Sequence, residues 1–203
     1  MFLLVAPLSA SATVLQFTLH TSSLSGPAAS LAFDFIDGDG VLGNNTAVIS
    51  GFSTDGTLDN DAVEIDGDVS GTLNPGPMTL MDTGFSSFLQ PLALGTTLSF
   101  TLTLTQQSDS NGDLPDSFAF FLLDPDTFLP LFKTTDPTDV GALFAVDIDG
   151  SSGGELLLFE AVDAEVTWIV EPVATVPLPS TVLLIGAGLL GGLAARRWRV
   201  ALR

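Results

Sequence analysis

Aspartate recurs in turn-forming stretches of this chain: Asp37-Gly-Asp-Gly40, Asp55 to Asp61, Asp66-Gly-Asp68, Asp109 to Asp116 and Asp147-Ile-Asp149. Carboxylates and loop carbonyls are hard oxygen ligands, and a calcium ion takes roughly six to eight of them. The stretch Asp109-Ser-Asn-Gly-Asp-Leu-Pro-Asp116 comes nearest to such a site. Asp109, Asn111 and Asp113 alternate as in a D-x-N-x-D loop, and Asp116 or a distant residue would complete the shell. An EF-hand would continue with glycine and end on glutamate; Leu114 and Phe120 stand there, so the EF-hand itself is excluded. The competing account is that aspartate and asparagine make hairpin turns and keep the surface soluble.

Other chemistry is thinly supplied. Paired carboxylates can hydrolyse glycosides, and Glu64, Glu155, Glu160 and Glu165 are the glutamates of the strand-rich body. In a chain with 24 acidic residues, chance pairs are unavoidable. His20 is the only imidazole, so a Ser-His-Asp triad would have to use it, yet it falls on the polar face of an expected edge strand. There is no cysteine, which excludes disulfides, thiolate metal sites and a cysteine nucleophile. Trp168 alternates with Val166 and Val170 and reads as a core residue rather than a sugar platform. The expectation is a protein that is not an enzyme.

The elements that must position these residues have a period of two. Leu98, Phe100, Leu102 and Leu104 alternate with Ser99, Thr101, Thr103 and Thr105, the pattern of a half-buried strand. Leu15 to Leu19, Leu31 to Phe35, Val63 to Ile65, Phe118 to Leu123, Leu143 to Ile148, Leu156 to Val162 and Val166 to Val170 read as further strands. Clusters of Gly, Asp, Asn, Ser and Pro separate them. The expected fold is all-β: an antiparallel β-sandwich of jelly-roll type over residues 13–170, filled by many of the fifteen phenylalanines.

Charge divides the chain. Arg196, Arg197, Arg199 and Arg203 are four of its five basic residues, and Lys133 is the fifth. The chain ahead of Arg196 thus carries 24 acids against one base, which repels phosphate backbones and excludes nucleic acid as a partner. At the N-terminus, residues 1–12 are apolar and end in Ala10-Ser-Ala12, an A-x-A cleavage pattern without a basic start. They read as the remnant of a signal peptide whose true start lies upstream. At the C-terminus, residues 171–179 read as a linker with a proline motif. Residues 180–195, with the apolar run beginning near 176, read as a transmembrane helix; the 20 residues from 176 would span about 30 Å as a helix, the thickness of a bilayer core. Residues 196–203 form a basic tail, cytoplasmic by the positive-inside rule, which puts the acidic body across the membrane.

Val176, Pro177, Leu178 and Pro179, then the apolar Gly/Leu-rich span, then Arg196 and Arg197, together resemble a PEP-CTERM sorting signal, in a V-P-L-P variant of its proline motif. The body is less specifically similar to a PEP-CTERM subfamily of unassigned function, through Phe33 to Gly40, Pro115 to Asp124 and Asp147 to Gly150. The resemblance implies export in a Gram-negative bacterium, membrane anchoring and processing by an exosortase-like enzyme. It also implies association with exopolysaccharide or biofilm matrix. The expected function is a non-catalytic envelope or matrix protein. The alternatives are a calcium-dependent carbohydrate-binding module, with calcium as its one cofactor, and a polysaccharide-active hydrolase.

Overall fold

The computed structural model describes residues 12–24, 26–107, 114–148, 154–162 and 164–173. Thirteen strands follow one another among them: β1 (Ala12–His20), β2 (Ala28–Ile36), β3 (Thr46–Thr54), β4 (Thr57–Leu58), β5 (Glu64–Asp66), β6 (Val69–Gly71), β7 (Met78–Met81), β8 (Phe85–Ala93), β9 (Thr97–Thr105), β10 (Asp116–Leu123), β11 (Phe144–Ile148), β12 (Glu155–Leu158) and β13 (Thr167–Pro172). They form two antiparallel sheets. One runs β13-β1-β9-β3-β7-β6, and the other β12-β11-β10-β2-β8-β4 with β5 also paired to β8. The predicted leader, apart from Ala12, and the predicted membrane span lie outside the described residues. No helix among the described residues is long and apolar enough to cross a membrane.

Alternation sets which side chains meet. In the first sheet Phe17 pairs with Phe100. In the second, Phe88, Phe33, Phe120 and Phe144 stand side by side on β8, β2, β10 and β11. These two rows face each other. Phe17 stacks on Phe100 at 4.9 Å and meets Phe120 edge-on at 5.1 Å, while Phe33 meets Phe100 at 5.3 Å. All six rings are buried. Burying one such side chain stabilises by about 1.5–3 kcal/mol, and each favourable ring pair adds about 0.5–1.5 kcal/mol. A cluster of phenylalanines therefore lies between the sheets, within a core whose other members are mainly aliphatic.

Three expectations need correction. β1 lies between β13 and β9, so His20 is exposed at the end of an interior strand rather than on an edge. The strand expected over 156–162 is shorter, ending at Leu158, after which Val162 N–H donates to the Lys133 carbonyl. β3, β4, β6, β7 and β8 were not among the expected strands, and the nine-residue β8 is obscured because two of its inward positions are polar. Ser86 and Gln90 are buried on the same face as Phe88 and Leu92. Each has a partner supplied by the excursion between β4 and β7: the Ser86 hydroxyl accepts from Asp68 N–H at 3.0 Å, and Gln90 Nε2 donates to Asn60 Oδ1 at 2.8 Å. Trp168 packs against the core as expected and donates its indole N–H to the Leu143 carbonyl at 3.0 Å.

Candidate metal centre

β2 leaves its sheet at Ile36, and β10 enters beside it, with Ser117 paired to Ile36. This brings the turn after β2 against the first residue of β10. The fit depends on Gly38, because a Cβ there would overlap the Pro115 backbone carbonyl. With no side chain in the way, Gly38 N–H and Asp39 N–H both donate to Asp116 Oδ1, at 2.9 and 3.1 Å. Asp37 Oδ1 accepts from Gly40 N–H, and Asp39 accepts from Val41 N–H and from the Asn44 amide. One carboxylate oxygen from each of Asp37, Asp39 and Asp116 lies within 4.8 Å of the others.

Behind this trio sits Asn45, fully buried. Its amide nitrogen donates to Asp116 Oδ2 at 2.7 Å and to the Gln107 carbonyl at 2.5 Å. Its amide oxygen accepts from the Thr105 hydroxyl and from Gln107 N–H, at 3.0 and 2.9 Å. Its backbone N–H donates to both oxygens of Asp82, at 3.1 and 3.0 Å. One side chain thus joins β3, the end of β9 and the start of β10, which belong to two sheets. A buried amide with its bonds satisfied fixes geometry, and removing it strands several partners at once.

Asp82 is also fully buried. Burial, followed by the Asp116 carboxyl beside it, pushes its pKa up to about 7, against the opposing pull of the Asn45 N–H. Two carboxylates this close in a dry setting resist ionising together. A proton on Asp82 lets that group donate to Asp116 instead of repelling it.

The chemistry available here is cation binding by oxygen ligands. The expected ligand set included Asp109, Asn111, Asp113 and Asp116. The first three lie outside the described residues. Asp116 is placed in a different company, with Asp37 and Asp39 of another acidic turn. Asn45 and Asp82, which hold this arrangement, were missed; Asp82 looks in sequence like one more turn residue before Gly84. The remaining described acidic loops behave as turns. Asp59, Asp66 and Asp124 accept N–H bonds from residues one to three positions on, and Asp136 accepts from Thr138 and Ala142 N–H. The four glutamates weighed for hydrolysis are all exposed, with Glu64 on β5 and Glu155 on β12 near opposite margins of one sheet.

The sorting-motif residues Val176, Pro177, Leu178, Pro179, Arg196 and Arg197 also lie outside the described residues. Residues 175–199 match the family model of the PEP-CTERM protein-sorting motif. No curated protein and no solved structure matches the chain.

Proposed function

We propose that this is a non-catalytic protein of the cell envelope or extracellular matrix. On this reading it is exported, held by its C-terminal span and then processed at the V-P-L-P form of the motif. The motif match over residues 175–199 carries the reading. It implies an exosortase-directed, exported protein. The acidity ahead of Arg196 supports the rest: 24 acids against a single lysine suit a hydrated polysaccharide layer and not a phosphate polymer. We read the sandwich as jelly-roll type, since β1, β2 and β3, and then β7 to β10, alternate between the two sheets. The exposed imidazole and scattered glutamates offer no catalytic constellation among the described residues. The test is expression of the full chain in a Gram-negative host that has an exosortase. The native chain yields a shortened, membrane-released form. Pro177→Ala with Pro179→Ala, and Arg196→Ala with Arg197→Ala, remain full length in the membrane. Equal processing of all three overturns the reading.

A second reading adds calcium, supported by the convergence of Asp37, Asp39 and Asp116. Each site residue is an oxygen donor on a loop or strand end, which suits calcium better than a softer metal. Melting of the full chain in excess calcium and in chelator tests it. At a hundredfold excess over Kd, binding to the native state alone adds about 2.7 kcal/mol. The expected rise is calcium-specific and lost in Asp37→Asn with Asp39→Asn. A rise retained by that variant moves the ion elsewhere.

A further inference from the structure

Phe128 has φ 58°, the left-handed region that bulky side chains rarely adopt. Its turn is closed without the ring: Phe128 N–H donates to the Asp124 carbonyl, Asp124 N–H to the Leu129 carbonyl, and Asp124 Oδ1 accepts from Asp126 and Thr127 N–H. Glycine is the usual occupant of such a position, after a helical-type turn. Here the turn instead presents a large aromatic ring that is 51% exposed. Strain of this kind persists where surroundings enforce it and points toward a use.

The ring lies over the outer face of the second sheet. With Phe85, itself 45% exposed, it lines an open hollow of about 310 Å³, together with Glu64, Asp66, Ser87 and Leu89. Both rings are exposed, whereas eight phenylalanines are fully buried. Ser87 is paired with Asp34 across the strands, and its hydroxyl donates to Asp34 Oδ1 at 2.7 Å. Two exposed aromatic rings therefore share one hollow with two exposed carboxylates, Glu64 and Asp66. The one described lysine, Lys133, lines a different hollow.

We propose that this hollow binds an organic ammonium ion, with Phe128 and Phe85 against its apolar substituents and Glu64 and Asp66 balancing its charge. The face of an aromatic ring attracts a cation, most strongly one with greasy substituents that sheds water easily. A hard metal ion keeps its water and oxygen ligands, which the rings cannot replace. An anion is repelled by the carboxylates. A second copy of this acidic body brings no cationic surface to match them. The inference stands apart from the sorting and calcium readings.

The test is calorimetric titration of the full chain in about 0.15 M salt, where diffuse attraction is screened beyond about 8 Å. The probes are choline and a glucosamine tetramer. Their controls are dimethylbutanol, the uncharged isostere of choline, and the N-acetylated tetramer. Saturable binding of an ammonium probe is expected, with its neutral counterpart at least about tenfold weaker. Whichever probe binds tells a free cation from a polymer-borne amine. Phe128→Gly is expected to weaken binding by about tenfold or more while Tm stays or rises, because glycine relieves the backbone. Glu64→Gln with Asp66→Asn weakens it at unchanged Tm, and carries the test if Phe128→Gly folds poorly. Absent binding of both ammonium probes, equal binding of the neutral controls, or affinity unchanged in the variants overturns the proposal.

Discussion

β3 has an aspartate system at each end, and the two behave oppositely. Past Thr54, Asp55 accepts from Thr96 N–H at 2.8 Å, Thr97 N–H at 2.9 Å and the Thr96 hydroxyl at 2.5 Å. Those donors, the hydroxyl first, pull its pKa down to about 2. Before Thr46, Asp82 lies under Asn45 next to Asp116 and is pushed up to about 7. The residue type is the same and both accept backbone N–H bonds. Solvent and company make the difference. A carboxylate with several donors and water around it is favoured as an ion, while one buried beside another carboxyl is favoured with a proton. The end with the exposed, well-donated carboxylate is a finished turn. The end with the buried pair relieves its repulsion by holding a proton, a role that a cation would also fill.

The largest break in that comparison is Asn45→Ala. It leaves buried Asp116 Oδ2 and the proton of the Thr105 hydroxyl without Asn45, and frees both backbone groups of the exposed Gln107 to water. Unsatisfied buried groups cost about 1–3 kcal/mol each, and water entering the site recovers part, so the expected loss is about 3 kcal/mol or more. For a chain of this size that lowers Tm by roughly 6–12 °C. Thermal melting at neutral pH checks it. A loss no greater than that of Asp55→Ala would mean the two ends are held equally well.

Less drastic is Asp82→Asn, which keeps an acceptor for Asn45 N–H and removes the titration. The ordinary aspartate value is 3.8 and the native one about 7. Between these, the native state holds a proton that the unfolded chain has released, so stability falls as pH rises. The stabilisation is complete below 3.8 and gone above about 7. Melting in chelator, from pH about 4 to about 8, should show Asp82→Asn gaining on the native protein up to about 7 and level beyond it. A constant difference would remove the proton from the account.

Sequence pattern made much of the sandwich legible and left the acidic end largely unread. Phe17, Phe33, Phe100 and Phe120 point inward because alternation is local, and a local signal survives in one sequence. Gly38, Asn45, Asp82 and Asp116 form their site only because β2, β3, β7 and β10 converge, at separations of up to 78 residues. Nothing in Asn44-Asn45 distinguishes a buried node from another turn. Likewise β8 hides its strand character because Ser86 and Gln90 face inward, and their partners lie 18 and 30 residues away. Phe128 reads as an ordinary loop hydrophobe until its backbone angle is seen.

The smallest effect belongs to Asp55→Ala. Its carboxylate is exposed, so each lost bond is partly replaced by water, and only a minor fall in Tm is expected at neutral pH. The sign of its pH dependence is the informative part. A native value lowered to about 2 from 3.8 means the stabilisation is present above 3.8 and disappears as pH falls toward 2. Asp82 acts above 3.8 and Asp55 below it, so their windows do not overlap. The gap between native protein and Asp55→Ala should therefore stay level from pH about 7 to about 5 and narrow on further acidification, while the gap to Asp82→Asn moves only on the other side. Two single variants melted across one pH series separate the two ends of β3. If both gaps move in the same window, the contrast between a solvated and a buried carboxylate does not govern this fold's acid response.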